Sequence, residues 1–473
     1  MTHDPELLSA VFKAYDIRGV VPDQLDDSMC RAVGAAFVDV LRDEGAVGGM
    51  VVGYDMRPTS PGLAAAFAAG AASRGVDVTV IGLASTDELY FASGLLGVPG
   101  AMFTASHNPA QYNGIKLCRA GAAPVGQDTG LSAIRGRVES ADADADADGA
   151  RATAPGRITQ RDLLTEYASY LRGLVDVSTG RPLTVVVDAG NGMAGLTVPA
   201  VLSDPTLTVV PMYFELDGTF PNHEANPIEP ANLVDLQREV VARGADVGLA
   251  FDGDADRCFV VDERGEVVTP STLTALIATR ELAREPGASV VHNLITSRAV
   301  PEVVTECGGT PVRTRVGHSF IKQVMAETGA VFGGEHSGHF YFRDFWGADS
   351  GLLAALHTLA ALGEATTPLS QLLRPFDRYA VSGEINSTVT DPAGVTAQVR
   401  QAFAGRPGVA IDELDGLTVG GDTWWFNLRP SNTEPLLRLN VEASGPAELA
   451  GLRDEVLSLV RSDPASHQKG ASS

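Results

Sequence analysis

Asp252, Asp254 and Asp256 stand at alternate positions of a short run, Asp-Gly-Asp-Ala-Asp-Arg, between two strand-like stretches, 246–251 and 258–262. In an extended segment such alternate side chains share one face, and three carboxylates so close repel one another unless a cation joins them. Oxygen ligands alone select a hard divalent ion, and Mg²⁺ suits a site that shares its remaining positions with a phosphate oxygen. Glu263 is the twelfth residue from Asp252, as in an EF-hand loop. Arg257, however, takes the sixth position, where that loop turns on glycine, and the flanks read as strands rather than helices.

A second run, Thr104-Ala-Ser106-His107-Asn108-Pro109, is followed by Tyr112-Asn-Gly-Ile-Lys116. Small neighbours leave the Ser106 hydroxyl accessible, but a serine is a weak nucleophile until a base or metal activates it. The strand-turn-helix elbow of acyl hydrolases is missing. A serine beside a metal-binding acidic loop suits phosphoryl transfer, where the work is alignment and charge neutralisation.

Glycines at 333, 334 and 338 make a tight loop that presents Glu335, Ser337 and His339 at alternate positions. A carboxylate and a hydroxyl so placed can bond vicinal sugar hydroxyls, and an imidazole can shuttle a proton at neutral pH. His336 and His339 lack a third ligand at a zinc spacing. In Arg429-Pro-Ser431-Asn432-Thr433-Glu434, the guanidinium fork, two hydroxyls and an amide describe an oxyanion cradle. One competing signal is Gly190-Asn-Gly192-Met-Ala-Gly195, which follows a strand and has Glu215 about 20 residues on, as a dinucleotide fingerprint does. The oxidoreductase it suggests would leave the aspartates, Ser106 and the Arg429 cradle without roles.

The elements that must hold these residues follow from pattern. Short β-branched runs alternate with Ala/Leu-rich helical stretches, the signature of parallel βαβ units. Runs at 49–55, 183–191 and 288–294 each lead through a turn and a helical stretch to a second strand signal, at 76–81, 207–214 and 310–314. This weak repeat predicts three similar α/β domains. Past the prolines at 368 and 375, a strand, a helix, three further strands and a last helix predict a smaller α+β domain. The alternating aspartates of 141–156 read as a solvated acidic linker rather than a calcium site, and the tail after Pro464 as frayed. Expected boundaries are 1–150, 157–257, 258–368 and 375–465.

With 473 residues and a formal charge of −24, the chain repels nucleic acid and anionic membrane, so any phosphate ligand needs local basic groups. No apolar run is long enough to span a bilayer, and MTHDPELLSA lacks a secretory pattern. Four scattered cysteines offer neither a zinc knuckle nor a disulfide framework. The expectation is a soluble, cytoplasmic protein of sugar-phosphate chemistry, with no nucleic-acid or membrane partner.

Taken in order, these motifs resemble the α-D-phosphohexomutase superfamily, in particular its bacterial phosphomannomutase/phosphoglucomutase branch. Phe12-Lys-Ala-Tyr15-Asp16-Ile-Arg18-Gly19 is similar to that family's N-terminal signature. TASHNP resembles its phosphoserine loop, DGDADR its metal loop, GEHSGH its sugar loop and RPSNTEP its phosphate loop. The resemblance implies an α/β fold of four domains around a central cleft, the first three sharing a mixed α/β core. It implies that Ser106 is carried as phosphoserine and ligates Mg²⁺ through its phosphate beside Asp252, Asp254 and Asp256, with Arg257 contacting it. It further implies a hexose 1,6-bisphosphate that turns over between two transfers, with mannose, and also glucose, phosphates as substrates. Arg18, His107 and Lys116 would flank the phosphoserine, Lys116 as acid/base, with His339 moving the proton on the sugar side. Tyr15, Glu335, Ser337, Arg429, Ser431, Asn432 and Thr433 would bind substrate. Arg315 stands where some relatives carry Lys and holds its proton too firmly for acid/base work, so an orienting role is expected. Phosphoglucosamine mutases are the nearest rival, but their sugar loop reads GEQSGH where this chain has His336.

Overall fold

The computed structural model describes residues 4–45, 47–141, 154–430 and 436–461. The acidic stretch 142–153, the residues Ser431, Asn432 and Thr433, and the tail beyond 461 lie outside them. Among the described residues, four sheets follow one another along the chain.

In the first sheet Met50–Tyr54 lies between Val78–Leu83 and Gly100–Phe103, all parallel. The second places Leu183–Asp188 between Leu207–Met212 and Val247–Phe251, again parallel. The third places Ser289–Asn293 between Thr310–Thr314 and Phe332–Gly334. The central strands are almost wholly buried, as parallel strands covered by helices on both faces must be. In every case the third strand then doubles back into an antiparallel neighbour: Tyr112–Arg119, Cys258–Asp262 or Phe340–Phe342. The repeat read from sequence therefore extends one strand further than its pattern revealed.

These hairpins carry the chemistry. Ser106 lies in the first, the three aspartates in the second and Glu335 to Gly338 in the third, each beyond the carboxyl end of a parallel strand, where open α/β sheets bind ligands. The fourth sheet is wholly antiparallel, in the order Ala380–Thr388, Leu436–Ala443, Trp424–Pro430, Leu417–Gly420, Ala410–Asp412. Leu417–Gly420 was not among the expected strands; two glycines and a threonine soften its pattern. Arg429 sits at the end of Trp424–Pro430, again on a hairpin.

Pairing moves two expected borders. Cys258–Asp262 belongs with Val247–Phe251 in the second sheet, so a division at 257/258 would cut a hairpin. Ile158–Gln160 pairs with Val78–Leu83 and extends the first sheet rather than opening the second domain. Both strands precede the helix of the following unit, which pattern alone does not separate from a new domain. One apolar cluster runs through the first three sheets and their helices, whereas the fourth sheet closes over its own. Among the described residues no helix is long and apolar enough to cross a membrane.

Candidate active site

Ser106 adopts a left-handed backbone (φ 49°) that turns its side chain toward the second domain. Its Oγ donates to Asp252 Oδ2 at 2.7 Å, and its main chain lies so near Gly253 that a Cβ there would stand 2.4 Å from the Ser106 oxygen. The glycine in Asp-Gly-Asp is thus set by close approach of two loops. Asp252 also receives Arg257 Nε at 2.9 Å, while Arg257 Nη2 donates to His107 Nδ1 at 2.6 Å. A guanidinium only donates, so this imidazole nitrogen is an acceptor. Burial, with Arg257 and Arg18 nearby, pushes His107 down to about 2, and the ring is neutral at any working pH.

Oxygens of Asp252, Asp254 and Asp256 lie within 4.8 Å of one another, and all three residues are buried. Lys116 Nζ donates to Asp254 Oδ2 at 2.7 Å and Asp256 Oδ2 at 2.6 Å. Burial disfavours the ammonium, but Asp254 and Asp256 outweigh it and hold Lys116 well above its ordinary value. Burial would likewise raise Asp254, yet Lys116 and the Thr86 hydroxyl, 2.6 Å from its Oδ2, hold it down. Asp256 moves the other way, raised by burial and by Asp254. The second oxygens, Asp254 Oδ1 and Asp256 Oδ1, are buried without a hydrogen-bond partner. Buried carboxylate oxygens without donors are costly unless something ligates them, and an all-oxygen set fits a hard divalent cation.

The third domain adds His339, whose Nδ1 lies 2.9 Å from Asp349 Oδ2 and 3.8 Å from Asp256 Oδ1. Burial disfavours its charge, but Asp256 and Asp349 prevail and raise it. Asp349 is in turn paired with the buried Lys322 at 2.8 Å. Glu335 is buried and engaged: Oε2 accepts from the Tyr341 hydroxyl at 2.8 Å and Oε1 from the Gly317 amide at 3.2 Å. Ser337 is half-buried on the same turn. Tyr15 reaches across from the first domain, its hydroxyl 2.6 Å from where a Cβ on Gly317 would be. Arg315 is exposed and stacks at 4.7 Å on Phe320.

Arg18 Nη1 donates to Asn108 Oδ1 at 2.6 Å and Nη2 to Asp16, steering the loop after Ser106. Arg429 lies opposite Arg438 on the adjacent strand, both reaching Glu384, at 3.4 and 3.3 Å. The Nε of each is buried without a partner, a donor pair left for an anion. Ser106, His107, Lys116, the three aspartates, Arg257 and His339 therefore form one cluster, with Arg18 beside it. Glu335, Tyr15 and Arg429 stand on separate walls.

Sequence reasoning missed several participants: Thr86, Asp349, Lys322, Arg438 and the pair Asp55 and Arg57. Asp55 and Arg57 had a signal, following a buried parallel strand at its carboxyl end, where ligand loops occur. Lys322 and Asp349 lie on elements whose pattern shows only ordinary helix and strand.

Four family models match in succession. Phosphoglucomutase/phosphomannomutase alpha/beta/alpha domain I covers residues 9–145, domain II 165–265 and domain III 269–379, and the C-terminal domain covers 384–459. A phosphomannomutase of Salmonella typhimurium is 40% identical over 455 residues, 94% of this chain and 97% of its own. A Xanthomonas campestris protein described as phosphohexose mutases is 42% identical over 449 residues, 94% and 98% of the two chains. The crystal structure of a phosphoglucomutase/phosphomannomutase family protein from Burkholderia thailandensis superposes with a TM-score of 0.87 at 32% identity, covering 99% of each chain.

Proposed function

The chain belongs to the phosphoglucomutase/phosphomannomutase family of the α-D-phosphohexomutase superfamily, and from that premise we infer how this phosphohexomutase works. Its substrates on this reading are hexose 1- and 6-phosphates, of mannose and also of glucose, and Ser106 carries the phosphoryl group between them. The observation that bears most weight is the Ser106 hydroxyl, 2.7 Å from Asp252 within a trio that retains two uncommitted buried oxygens.

Asp252, Asp254 and Asp256 would hold Mg²⁺, with the phosphate on Ser106 as a further ligand. Bound there, the ion neutralises charge on the transferring group. Arg257 keeps Asp252 and His107 oriented, and the neutral His107 presents no positive charge of its own. Transfer from phosphoserine to a sugar hydroxyl breaks the Oγ–P bond and forms a new O–P bond. Oγ gains a proton and the hydroxyl loses one. Lys116, held as an ammonium, is suited to give that proton to Oγ. His339, backed by Asp349, takes the proton from the hydroxyl and returns it in the reverse step. The product is a hexose 1,6-bisphosphate. It turns so that its other phosphate faces Ser106, and the second transfer regenerates phosphoserine. Two orientations must be accepted in turn. Glu335 and Ser337 are suited to hydroxyls common to both, and Arg429, with Ser431, Asn432 and Thr433, to whichever phosphate is distal. Tyr15 and Arg315 lie where they can order the sugar-side wall. Four free cysteines suit a cytoplasmic setting.

Ser106→Ala is expected to abolish turnover and leave sugar-phosphate binding largely intact. Intact mass of the native chain should rise by one phosphate on incubation with hexose 1,6-bisphosphate, and that of the variant should not. Residual turnover at the native rate in the variant excludes Ser106 as carrier. Competition among mannose, glucose and glucosamine 1-phosphates with the native enzyme reads the sugar preference, glucosamine being the poorest on this reading.

A further inference from the structure

The backbone that presents Ser106 needs outside support. A non-glycine residue at φ 49° lies in a sparsely populated region, at a cost of about 1–3 kcal/mol, and persists only where surroundings over-determine it. Those surroundings converge on Arg57, which is 1% exposed and touches none of the motifs that carry the chemistry by its own sequence neighbourhood. Its Nη2 donates to the carbonyls of Ser106 at 2.9 Å and Asn108 at 2.7 Å. Its Nη1 donates to those of Pro109 at 2.9 Å and Tyr112 at 3.0 Å. Nε completes the set on Asp55 Oδ2 at 3.2 Å. A guanidinium has five N–H groups in one plane, and here every one is used, four of them on the main chain of 106–112.

Asp55 continues the grip from the other side. Fully buried, it accepts from the Arg57 amide, the Ser60 hydroxyl and the Thr104 hydroxyl. Thr104 Oγ1 accepts in turn from the Ser106 amide at 2.9 Å. The N–H and C=O of Ser106 therefore both end on the Arg57–Asp55 pair. Phe220 of the second domain covers the guanidinium face at 5.2 Å, so the clamp sits at the border across which Ser106 meets Asp252.

We propose that Arg57 is a positioning residue for phosphoryl transfer, fixing the register of Ser106 Oγ against the acidic trio in both half-reactions. The inference rests on the reading of Ser106 as the phosphoryl carrier. Its physical basis is that the clamp is a neutral ion pair engaging only main-chain groups. Its hold does not change as Ser106 alternates between a neutral hydroxyl and a doubly charged ester, whereas contacts made to the side chain itself must change. Lysine could still neutralise Asp55, but with three donors and no planar fork it cannot serve four carbonyls at once.

The test uses Arg57→Lys and Arg57→Ala in the full chain. Arg57→Lys should keep a near-native thermal midpoint while kcat falls about 100-fold, as a displacement of order 1 Å produces, and KM for the hexose 1-phosphate moves by less than about threefold. Added guanidinium should restore part of the kcat of Arg57→Ala and do nothing for the native enzyme. Native kcat in Arg57→Lys overturns the proposal. So does a loss of kcat that follows the loss of thermal midpoint across both variants without guanidinium rescue. If Arg57→Ala does not fold, the lysine variant decides alone. Ser106→Ala assayed in parallel separates the two readings. Turnover there removes the carrier premise, and its absence beside a fully active Arg57→Lys removes only the clamp.

Discussion

Lys116 keeps its proton because two buried carboxylates, Asp254 and Asp256, sit within 2.7 Å of its ammonium. The same ammonium is what allows those carboxylates to be buried. Removing one partner of such an arrangement strands the other charges, at a cost of about 3–5 kcal/mol. A divalent cation on the trio would supply the missing positive charge. Lys116→Met should therefore lower the thermal midpoint in chelator, and Mg²⁺ should recover more of it than it adds to the native chain, while turnover drops about 10²–10⁴-fold through loss of the acid. A Mg²⁺-induced shift no larger than the native one would show that Lys116 and the ion do not share these oxygens. At this scale much of the site was legible. Asp252, Asp254, Asp256, Ser106 and Lys116 announce themselves because their chemistry is local in sequence. Arg57 does not, since its meaning lies in four carbonyls 49 to 55 residues away, and carbonyls carry no sequence signature.

Hairpins and helix ends show how elements convert that local chemistry into geometry. Thr86–Leu96 begins with Ser85 as cap, and its first turn meets the metal loop: the Thr86 amide donates to the Asp254 carbonyl at 3.0 Å and its hydroxyl to Oδ2. The next two residues are buried acids. Asp87 gathers hydroxyls from all three α/β domains, namely Ser85, Tyr167 and Ser350, and is pushed up to about 6, chiefly by burial. Glu88 is pushed up to about 8 by burial, then by Asp87 and Asp162, and its Oε2 has no partner. In the unfolded chain a glutamate titrates near ~4.3. Between those two values the folded protein holds a proton that the unfolded chain has released, so this residue makes stability fall as pH rises across the interval. Glu88→Gln cannot titrate. Relative to the native chain it should gain on the order of 2 kcal/mol in urea unfolding on going from pH 6 to pH 8. An equal difference at the two pH values would mean that Glu88 is ionised throughout. The hairpin repeat was only half visible in sequence, because Phe332–Gly334 and Phe340–Phe342 are three residues each, too short for an alternation to register. Likewise nothing in Thr86, Asp87 and Glu88 beyond a capped helix start tells of a three-domain junction.

Across the whole molecule the first three domains are fused and the fourth is attached. Trp346 of the third domain stacks at 5.2 Å on Tyr170 of the second and presses against Gly94 of the first, where a Cβ would stand 2.3 Å from its ring. The fourth domain has a separate core and meets the third through a small cluster of Leu294, Ile295 and Trp425. Trp425 Nε1 donates to Glu442 Oε1 at 2.7 Å, and the Arg298 amide donates to the same oxygen at 3.0 Å. Burial raises Glu442, and its Oε2 has no partner, so this joint has little polar reserve. Alternate residues of a strand share a face. In Trp424–Pro430, Phe426 and Leu428 enter the domain's own core, and Trp425 and Arg429 face the other way. The strand that presents Arg429 to a substrate phosphate is therefore seated by Trp425 four residues earlier. Trp425→Ala removes an aromatic anchor worth about 3–5 kcal/mol from the joint rather than from either core. Calorimetry should then resolve an early transition of the fourth domain from the later unfolding of the other three, and KM for hexose phosphate should rise about tenfold, the equivalent of 1.4 kcal/mol. The chemical step at Ser106 is built from the first two domains, so single-turnover transfer to saturating sugar phosphate should slow far less than KM rises. One unsplit transition with an unchanged KM would mean that Arg429 is held by something other than this joint.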